Sequence, residues 1–406
     1  MFYGSRSATP DADPLVLWMT GGPGCSSELA AFVENGPFTL QKDGTLRDNP
    51  HGWDTAHNMI YIDQPVGTGF SYTSDAADDV YSEKQVADDV LDFMLEFLDA
   101  NPQFADRPFF VTGESYAGHY VPAVAARVDE HNRNKARVTA PIPLAGFAIG
   151  NGLTDPAVQY GAYADYAASK GLINSATRAA IRSIFPWCRF GINLCNGPLG
   201  FDIVCGLALS FCQATVVGPI MAEGGDFNIY DVRKKCTGPL CYDFQYLDDY
   251  MARPDVRDGL GVARDAKWSE CDPDVNARLL VDFVRSYADR VTPLVDGDAG
   301  VRALIYVGQE DFICNWYGNL RWVLALPWGG RYDFEDSPFV DVTVDGAAVA
   351  AVKGDGLRLS YVNVANAGHM VPMDAPAAAL RVITAFTRGE KIGGGGGADG
   401  GGAAVA

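Results

Sequence analysis

The stretch from Arg107 to Tyr120, "RPFFVTGESYAGHY", decides the fold. A run of apolar, β-favouring residues passes without a break into Ser115 and then into small residues that suit the first turn of a helix. A strand that feeds a sharp turn in this way projects a serine hydroxyl from the end of a parallel sheet, the arrangement of a nucleophile elbow. The strict pattern is G-x-S-x-G, whereas here Ala117 stands at the second glycine position and Gly118 follows. The requirement at that position is a small side chain, which alanine meets.

Outward from the elbow, "PLVLWMT" (14–20), "NMIYID" (58–63), "PLAGFAIGNG" (143–152), "RALIYVG" (302–308) and "LRLSYVNV" (357–364) are short apolar runs bounded by loop residues, as buried parallel strands are. Between two of them, Val86, Val90, Phe93, Met94 and Phe97 recur at helical spacing until Asn101-Pro102 ends the pattern. This is a βαβ rhythm. It breaks between about Asp155 and Gly300, where cysteines and small or aromatic residues predict an inserted, largely helical cap.

The 406 residues are 48% hydrophobic and 20% charged, enough to bury a large core. A net charge of -20 argues against nucleic acid or an anionic membrane as partner, since either would be repelled over most of the surface. Seven of the nine cysteines lie between 188 and 271 with no C-x-x-C spacing, which favours disulfides and an oxidising compartment over a metal site. The start, "MFYGSR", has neither the basic residues nor the apolar core of a secretory leader, and no N-x-S/T acceptor occurs. Ile203 to Ala222 is twenty residues without a charge, read here as a buried segment pinned by cysteines rather than a membrane span.

A serine hydroxyl needs a base, and the base a third group to orient it. Of five histidines, His51 and His57 precede the serine, against the order Ser, acid, His of such sheets. His119 is carried away by the helix and His131 sits in a polar stretch, which leaves His369 in "ANAGHMVP" after the last strand. The acid follows "RALIYVG" as Glu310 or Asp311, and spacing does not choose between them. An oxyanion hole takes backbone N–H groups: that of Tyr116, and one from Gly21 or Gly22 in the glycine-rich "MTGGPGCSS" (19–27).

Six stretches in order, "DPLVLWMTGGPGCSSELAAFVENGPF", "MIYIDQPVGTGFSY", "VTGESYAGHYVPAVA", "IGNGLTDP", "YVGQEDFICNWYGN" and "NAGHMVPMDAP", resemble the serine carboxypeptidase family, most closely its carboxypeptidase Y-like members. The resemblance implies an α/β-hydrolase fold with the cap inserted after "PLAGFAIGNG". It assigns Ser115 as nucleophile, His369 as base, Asp311 as acid, and the N–H groups of Gly22 and Tyr116 as the oxyanion hole. It further implies that Glu34 and Glu114 pair to hold the substrate's C-terminal carboxylate, with Thr20, where relatives usually carry asparagine, and Gly21 beside them. Two carboxyls in contact cannot both ionise cheaply, so a shared proton would let the pair donate to a third carboxylate, favouring acidic pH.

Matching positions place Leu153, Tyr160, Tyr163, Ile313 and Cys314 around the side chain preceding the scissile bond, and so predict a hydrophobic preference there. Cysteines 188 and 195, like 205 and 212, are seven apart, which suggests nested bridges Cys188–Cys212 and Cys195–Cys205. The family pattern adds Cys236–Cys241 and Cys25–Cys271, leaving Cys314 as an odd thiol and implying sensitivity to mercurials.

The expectation is therefore a serine-type carboxypeptidase that acts through an acyl-enzyme on peptides or proteins with a free C-terminus. It needs no cofactor or metal and has no nucleic-acid or membrane partner, and the resemblance leaves room for a homodimer. Acyl transfer on the same scaffold is the alternative, although relatives with that activity tend to have aspartate where this chain has Glu114. Residues 1–154 and 301–391 would form the core, 155–300 the cap and 392–406 a disordered Gly-rich tail. Cysteines and kinship point to a vacuole, a lysosome or the cell exterior. Relatives carry a leader and one or two strands before the segment matching "FYGSR", so a shortened start or an exposed sheet edge is expected.

Overall fold

Alternation along each apolar run sends side chains to both faces of a sheet, so a strand with no polar side must be covered on both. Leu15–Met19 does this: Leu15, Leu17 and Met19 join the core on one face, Val16 and Trp18 the core on the other, and all are essentially inaccessible. Each such side chain contributes about 1.5–3 kcal/mol by leaving water. A computed structural model describes residues 1–134, 140–198, 200–238, 240–263 and 265–395.

Ten strands form one sheet among the described residues: β1 Phe2–Tyr3, β2 Leu15–Met19, β3 Asn58–Tyr61, β4 Phe109–Glu114, β5 Leu144–Gly150, β6 Arg302–Gly308, β7 Val340–Val344, β8 Ala347–Lys353, β9 Leu359–Val364 and β10 Gly394–Gly395. Their spatial order is β1-β3-β2-β4-β5-β6-β9-β8-β7-β10. The six central strands, β3 through β9 in that order, pair in parallel, and β1, β8 and β7 add antiparallel edges. This is the α/β-hydrolase arrangement. The hairpin β7–β8 was not anticipated; β7 alternates valine with polar residues and β8 is mostly alanine, a weak strand former.

Helix α1 (Glu28–Val33), α2 (Glu83–Ala100) and α3 (Ala117–Arg133) follow β2, β3 and β4. Ser82 caps α2 by accepting from the Gln85 N–H, and its buried face, Val86, Val90 and Met94, is the one the spacing predicts. Because the central strands are parallel, their C-terminal ends meet along one edge, and the loops after β2, β4, β5, β6 and β9 all open there.

The cap is built on α4 (Ser175–Cys195) and α5 (Asp202–Cys212), tied by Cys188–Cys212 and Cys195–Cys205. Its own core runs from Tyr160 to Phe227, with Val284 and Phe312 added. The interval 155–300 is not uniform: Val275, Leu279, Val291 and Leu294 pack into the core on one face of the sheet, and Phe244, Leu247 and Met251 into the other. The reading of 203–222 as buried is corrected on one side. Cys205, Leu209, Cys212 and Ile220 are inside, but Ile203 and Leu207 are 73% and 67% exposed, and Trp187, Phe190 and Phe201 are exposed as well. The disulfides fix one face of the helix and leave the other to solvent.

Cys236–Cys241 and Cys25–Cys271 are also present, and Cys314 is the free thiol among the described residues. The tail expected to be disordered from 392 begins as structure: Ile392 is buried and Gly394–Gly395 pair with β7. Residues 396–406 lie outside the described residues.

Candidate active site

Ser115 follows β4 directly and has φ of 68°, the left-handed region that side chains with a Cβ disfavour. The turn is held from three sides. Its N–H donates to Gly150 O at 3.0 Å, and its carbonyl accepts from the N–H groups of Gly118 and Leu153 at 2.9 and 3.0 Å. Backbone strain kept in place by this many bonds aims the side chain away from the sheet.

His369 lies in the loop after β9 and Asp311 in the loop after β6, and the parallel pairing of these strands brings the loops together. His369 Nδ1 is 2.8 Å from Asp311 Oδ2. Asp311 is fully buried, and it accepts further from Asn151 Nδ2 at 2.8 Å and from the N–H groups of Ile313 and Cys314 at 3.0 and 3.1 Å. Glu310, the other candidate, turns outward and pairs with Lys170 at 2.6 Å. On the opposite side of the imidazole, Nε2 is buried without a hydrogen-bond partner, in the cavity that it shares with Ser115. Ligand atoms of Asp311, Cys314 and His369 approach within 4.8 Å of one another. Both Asp311 oxygens and His369 Nδ1 are already engaged there, so hydrogen bonding accounts for the cluster.

The excluded histidines have structural duties. His119 Nδ1 lies 2.6 Å from Leu153 O and Nε2 3.1 Å from Asp282 O, and burial lowers its pKa to about 4, so the neutral ring donates to one of the two carbonyls. His57 bonds Trp53 O and Thr387 Oγ1, each at 2.8 Å, and burial lowers it likewise to about 4.

The glycine-rich loop after β2 lies against the nucleophile turn. A Cβ at Gly21 would sit 2.5 Å from Tyr116 N and 2.7 Å from Glu114 O, so only glycine permits the approach. Gly22 has φ of 109°. The loop is closed by Cys25 N–H to Gly21 O at 3.1 Å and anchored at its base by Cys25–Cys271. The N–H groups of Gly22 and Tyr116 thus belong to two segments held in contact.

Glu34, at the end of α1, and Glu114, at the end of β4, are both buried and face one another. Apart from their mutual contact, neither Glu34 oxygen nor Glu114 Oε2 has a hydrogen-bond partner. Burial pushes both pKa values up, and the neighbouring charge raises Glu114 further. The pair holds a proton at pH values where an exposed glutamate has lost it. Trp18 Nε1 donates to Thr20 Oγ1 at 3.0 Å, so the threonine hydroxyl hydrogen is left to point elsewhere.

Ser115, His369, Glu114, Thr20, Gly21 and Gly22 line one cavity of about 200 Å³. Its other walls include Cys25 and Cys271 of the predicted disulfide, and Leu29, Leu240, Tyr230, Tyr242, Phe244 and Met370, which were not singled out from sequence. The aromatic density of "NIYDVRKKCTGPLCYDF" (228–244) was the available signal. Asn151, which fixes Asp311, lay in a quoted stretch without an assigned role. The five positions expected around the preceding side chain do not line this cavity. Tyr160, Tyr163 and Cys314 are buried, with Tyr163 OH donating to Ile313 O at 2.5 Å, while Leu153 supports the Ser115 turn. Burial pushes the Cys314 thiol pKa well up, and the charges of Asp311 and Glu114 add to this, which disfavours a reactive thiolate.

A family model described as serine carboxypeptidase matches residues 1–389. Serine carboxypeptidase 3 of Oryza sativa subsp. japonica is 47% identical over 383 residues, covering 93% of this chain and 74% of that protein. Serine carboxypeptidase 3 of Hordeum vulgare is 46% identical over 391 residues, covering 96% and 74%. The crystal structure of Kex1Δp, a prohormone-processing carboxypeptidase from Saccharomyces cerevisiae, superposes with a TM-score of 0.84 at 27% identity, covering 95% of this chain and 85% of that one. Agreement of the family model, the curated relatives and the solved structure over nearly the whole chain shows that it belongs to the serine carboxypeptidase family and is a serine-type carboxypeptidase.

Proposed function

We propose that this chain releases single C-terminal residues from peptides through an acyl-enzyme at acidic pH. The observation that carries the reading is the buried contact between Glu34 and Glu114, of which Glu114 lines the same cavity as Ser115 and His369.

Ser115 attacks the last peptide carbonyl while His369 Nε2 takes its proton, and Asp311 holds the imidazole through Nδ1 and stabilises its charged form. The N–H groups of Gly22 and Tyr116 receive the developing oxyanion. The protonated leaving amine departs with its carboxylate still held by the glutamate pair and Thr20. Water then enters by the same base and completes the cycle. The leaving residue's side chain meets Tyr242, Phe244, Leu29 and Met370, which suits an apolar residue. Leu153, Tyr160, Tyr163, Ile313 and Cys314 remain the proposed surroundings of the residue before the scissile bond. Four disulfides and an acid-adapted site together suit a vacuole, a lysosome or the cell exterior.

The sign of the pH effect follows from the pair. Below its raised pKa it carries a proton and can donate to the substrate carboxylate; as pH rises it becomes dianionic and repels the substrate. The experiment compares release of the C-terminal residue from an N-blocked dipeptide and from its amide at about pH 5 and pH 8. The free acid is expected to be preferred at the lower pH, with its KM rising at the higher one while the amide changes little. A preference that is the same at both values refutes the shared proton, and transfer of the acyl group to an alcohol without hydrolysis refutes the peptidase.

A further inference from the structure

The segment "NIYDVRKKC" (228–236) is a cap strand that touches both loops of the proposed triad. Its Asp231–Lys235 portion pairs with Phe227–Asn228. On the acid side, Ile229 O accepts from Phe312 and Ile313 N–H at 3.1 Å each, and Val232 N–H donates to Glu310 O at 2.9 Å. Toward the base, Tyr230 O accepts the N–H of His369 itself at 2.7 Å, and the Tyr230 ring lies 5.0 Å from the imidazole.

Side chains extend this bridge. Lys234 Nζ lies 3.0 Å from both Asp231 Oδ2 and Asp374 Oδ1, and Asp374 Oδ2 accepts the N–H of Gly368 at 2.8 Å. Arg233 grips Asp231 at 2.7 Å and donates to Asn366 O at 3.1 Å. The base loop is therefore held at Asn366, Gly368 and His369 by a strand already bonded to the acid loop. Gly368 leaves no room for slack: a Cβ there would overlap Tyr230 O and lie 2.9 Å from Asp231 Cβ.

We infer that Lys234 is a positioning residue for His369: by joining Asp231 to Asp374 it keeps the base loop in register with the loop that carries Asp311. The inference rests on the hydrolytic reading above. Without the ammonium, two carboxylates face one another across its place, and Asp374 loses the restraint that orients it toward Gly368 N–H. Lys234 Nζ also lies 5.5 Å from the centroid of the Tyr242 ring, a cation–π contact that methionine loses with the charge and that arginine can keep.

The test measures kcat, KM and the rate of Ser115 labelling by a phosphonyl fluoride for wild type, Lys234→Met, Lys234→Arg and Lys235→Met, the last at the exposed neighbour on the same strand. Lys234→Met is expected to lose about ten- to a hundredfold in kcat and in labelling rate, with KM near wild type. The downfield proton of the Asp311–His369 hydrogen bond should broaden, Lys234→Arg should recover most of the loss, and Lys235→Met should change nothing. Unchanged kcat and labelling in a folded Lys234→Met, or a rise in KM alone, overturns the inference. Should that variant not fold, Lys234→Gln carries the same expectation. A wild type that releases no residue from either dipeptide overturns the hydrolytic reading instead, and the labelling rates then decide the role of Lys234 alone.

Discussion

Buried carboxyls stand on two sides of Ser115, and their surroundings differ in kind. Asp311 is met by His369 Nδ1, the Asn151 amide and two backbone N–H groups. Glu34 and Glu114 meet chiefly each other. Donors around a carboxylate stabilise its charge, whereas burial without donors stabilises its proton. On the proposed reading the same functional group orients the base on one side and donates a proton to a substrate carboxylate on the other. Position in the sequence does not separate these roles, because Glu114 and Asp311 both sit at strand ends.

The comparison is broken most completely by removing what lies between the two sides. Ser115→Ala should lower kcat by about 10⁶-fold, measured on an N-blocked dipeptide, while substrate binding persists. Asp311→Asn comes next. It keeps the shape but favours the wrong imidazole tautomer, and about 10⁴-fold of kcat should be lost with KM little altered. Near-normal turnover in either variant contradicts the assignment.

On the other side, Glu34→Gln should leave kcat nearly intact and weaken free-acid peptides by about 10–100-fold in KM, as loss of a charge-assisted hydrogen bond implies. Peptide amides should be affected less, and equal effects on both would remove the distinction between the two sides.

A smaller effect concerns stability. Burial raises the pKa of Glu34, Glu114, Asp63 and Glu83, and that of Glu270 to about 7. Groups raised on folding hold protons that the unfolded chain releases, so their contribution is fully present below the ordinary carboxylate pKa and is lost as pH rises toward the folded values. Each contributes a slope of about 1.4 kcal/mol per pH unit over its window. Thermal unfolding should give a lower Tm at pH 8 than at pH 7, an interval above the one in which the lowered pKa values of His57 and His119 act in the opposite sense, and Glu34→Gln should flatten the fall. A Tm that rises over that interval contradicts the protonated state of these groups.

Much of this was legible in the chain. The runs that became β2 through β6 and β9 are apolar on both faces because parallel strands are covered on both, and that requirement is written residue by residue. Ser115 and His369 stood out because a nucleophile elbow and a histidine after the last strand have local signatures, and the structure brings both to one cavity. The choice of Asp311 over Glu310 came from kinship, since adjacent residues at a strand end are equivalent until a loop turns one inward and the other toward Lys170. Half of the apolar run 203–222 proved exposed, because hydropathy records composition and not which face a disulfide fixes.

By itself, then, the sequence determined the parallel strands β2 through β6 and β9, the elbow, the candidate base and the cysteine pairs suggested by their symmetric spacing, all of which depend on near neighbours in the chain. The tertiary structure alone decided the support of Asp311 by Asn151, the aromatic wall from Tyr230 to Phe244, and the bridge from Lys234 through Asp374 to the base loop. Those contacts join residues from about 130 to 160 positions apart, and no local preference encodes a partner that only chain packing brings within reach.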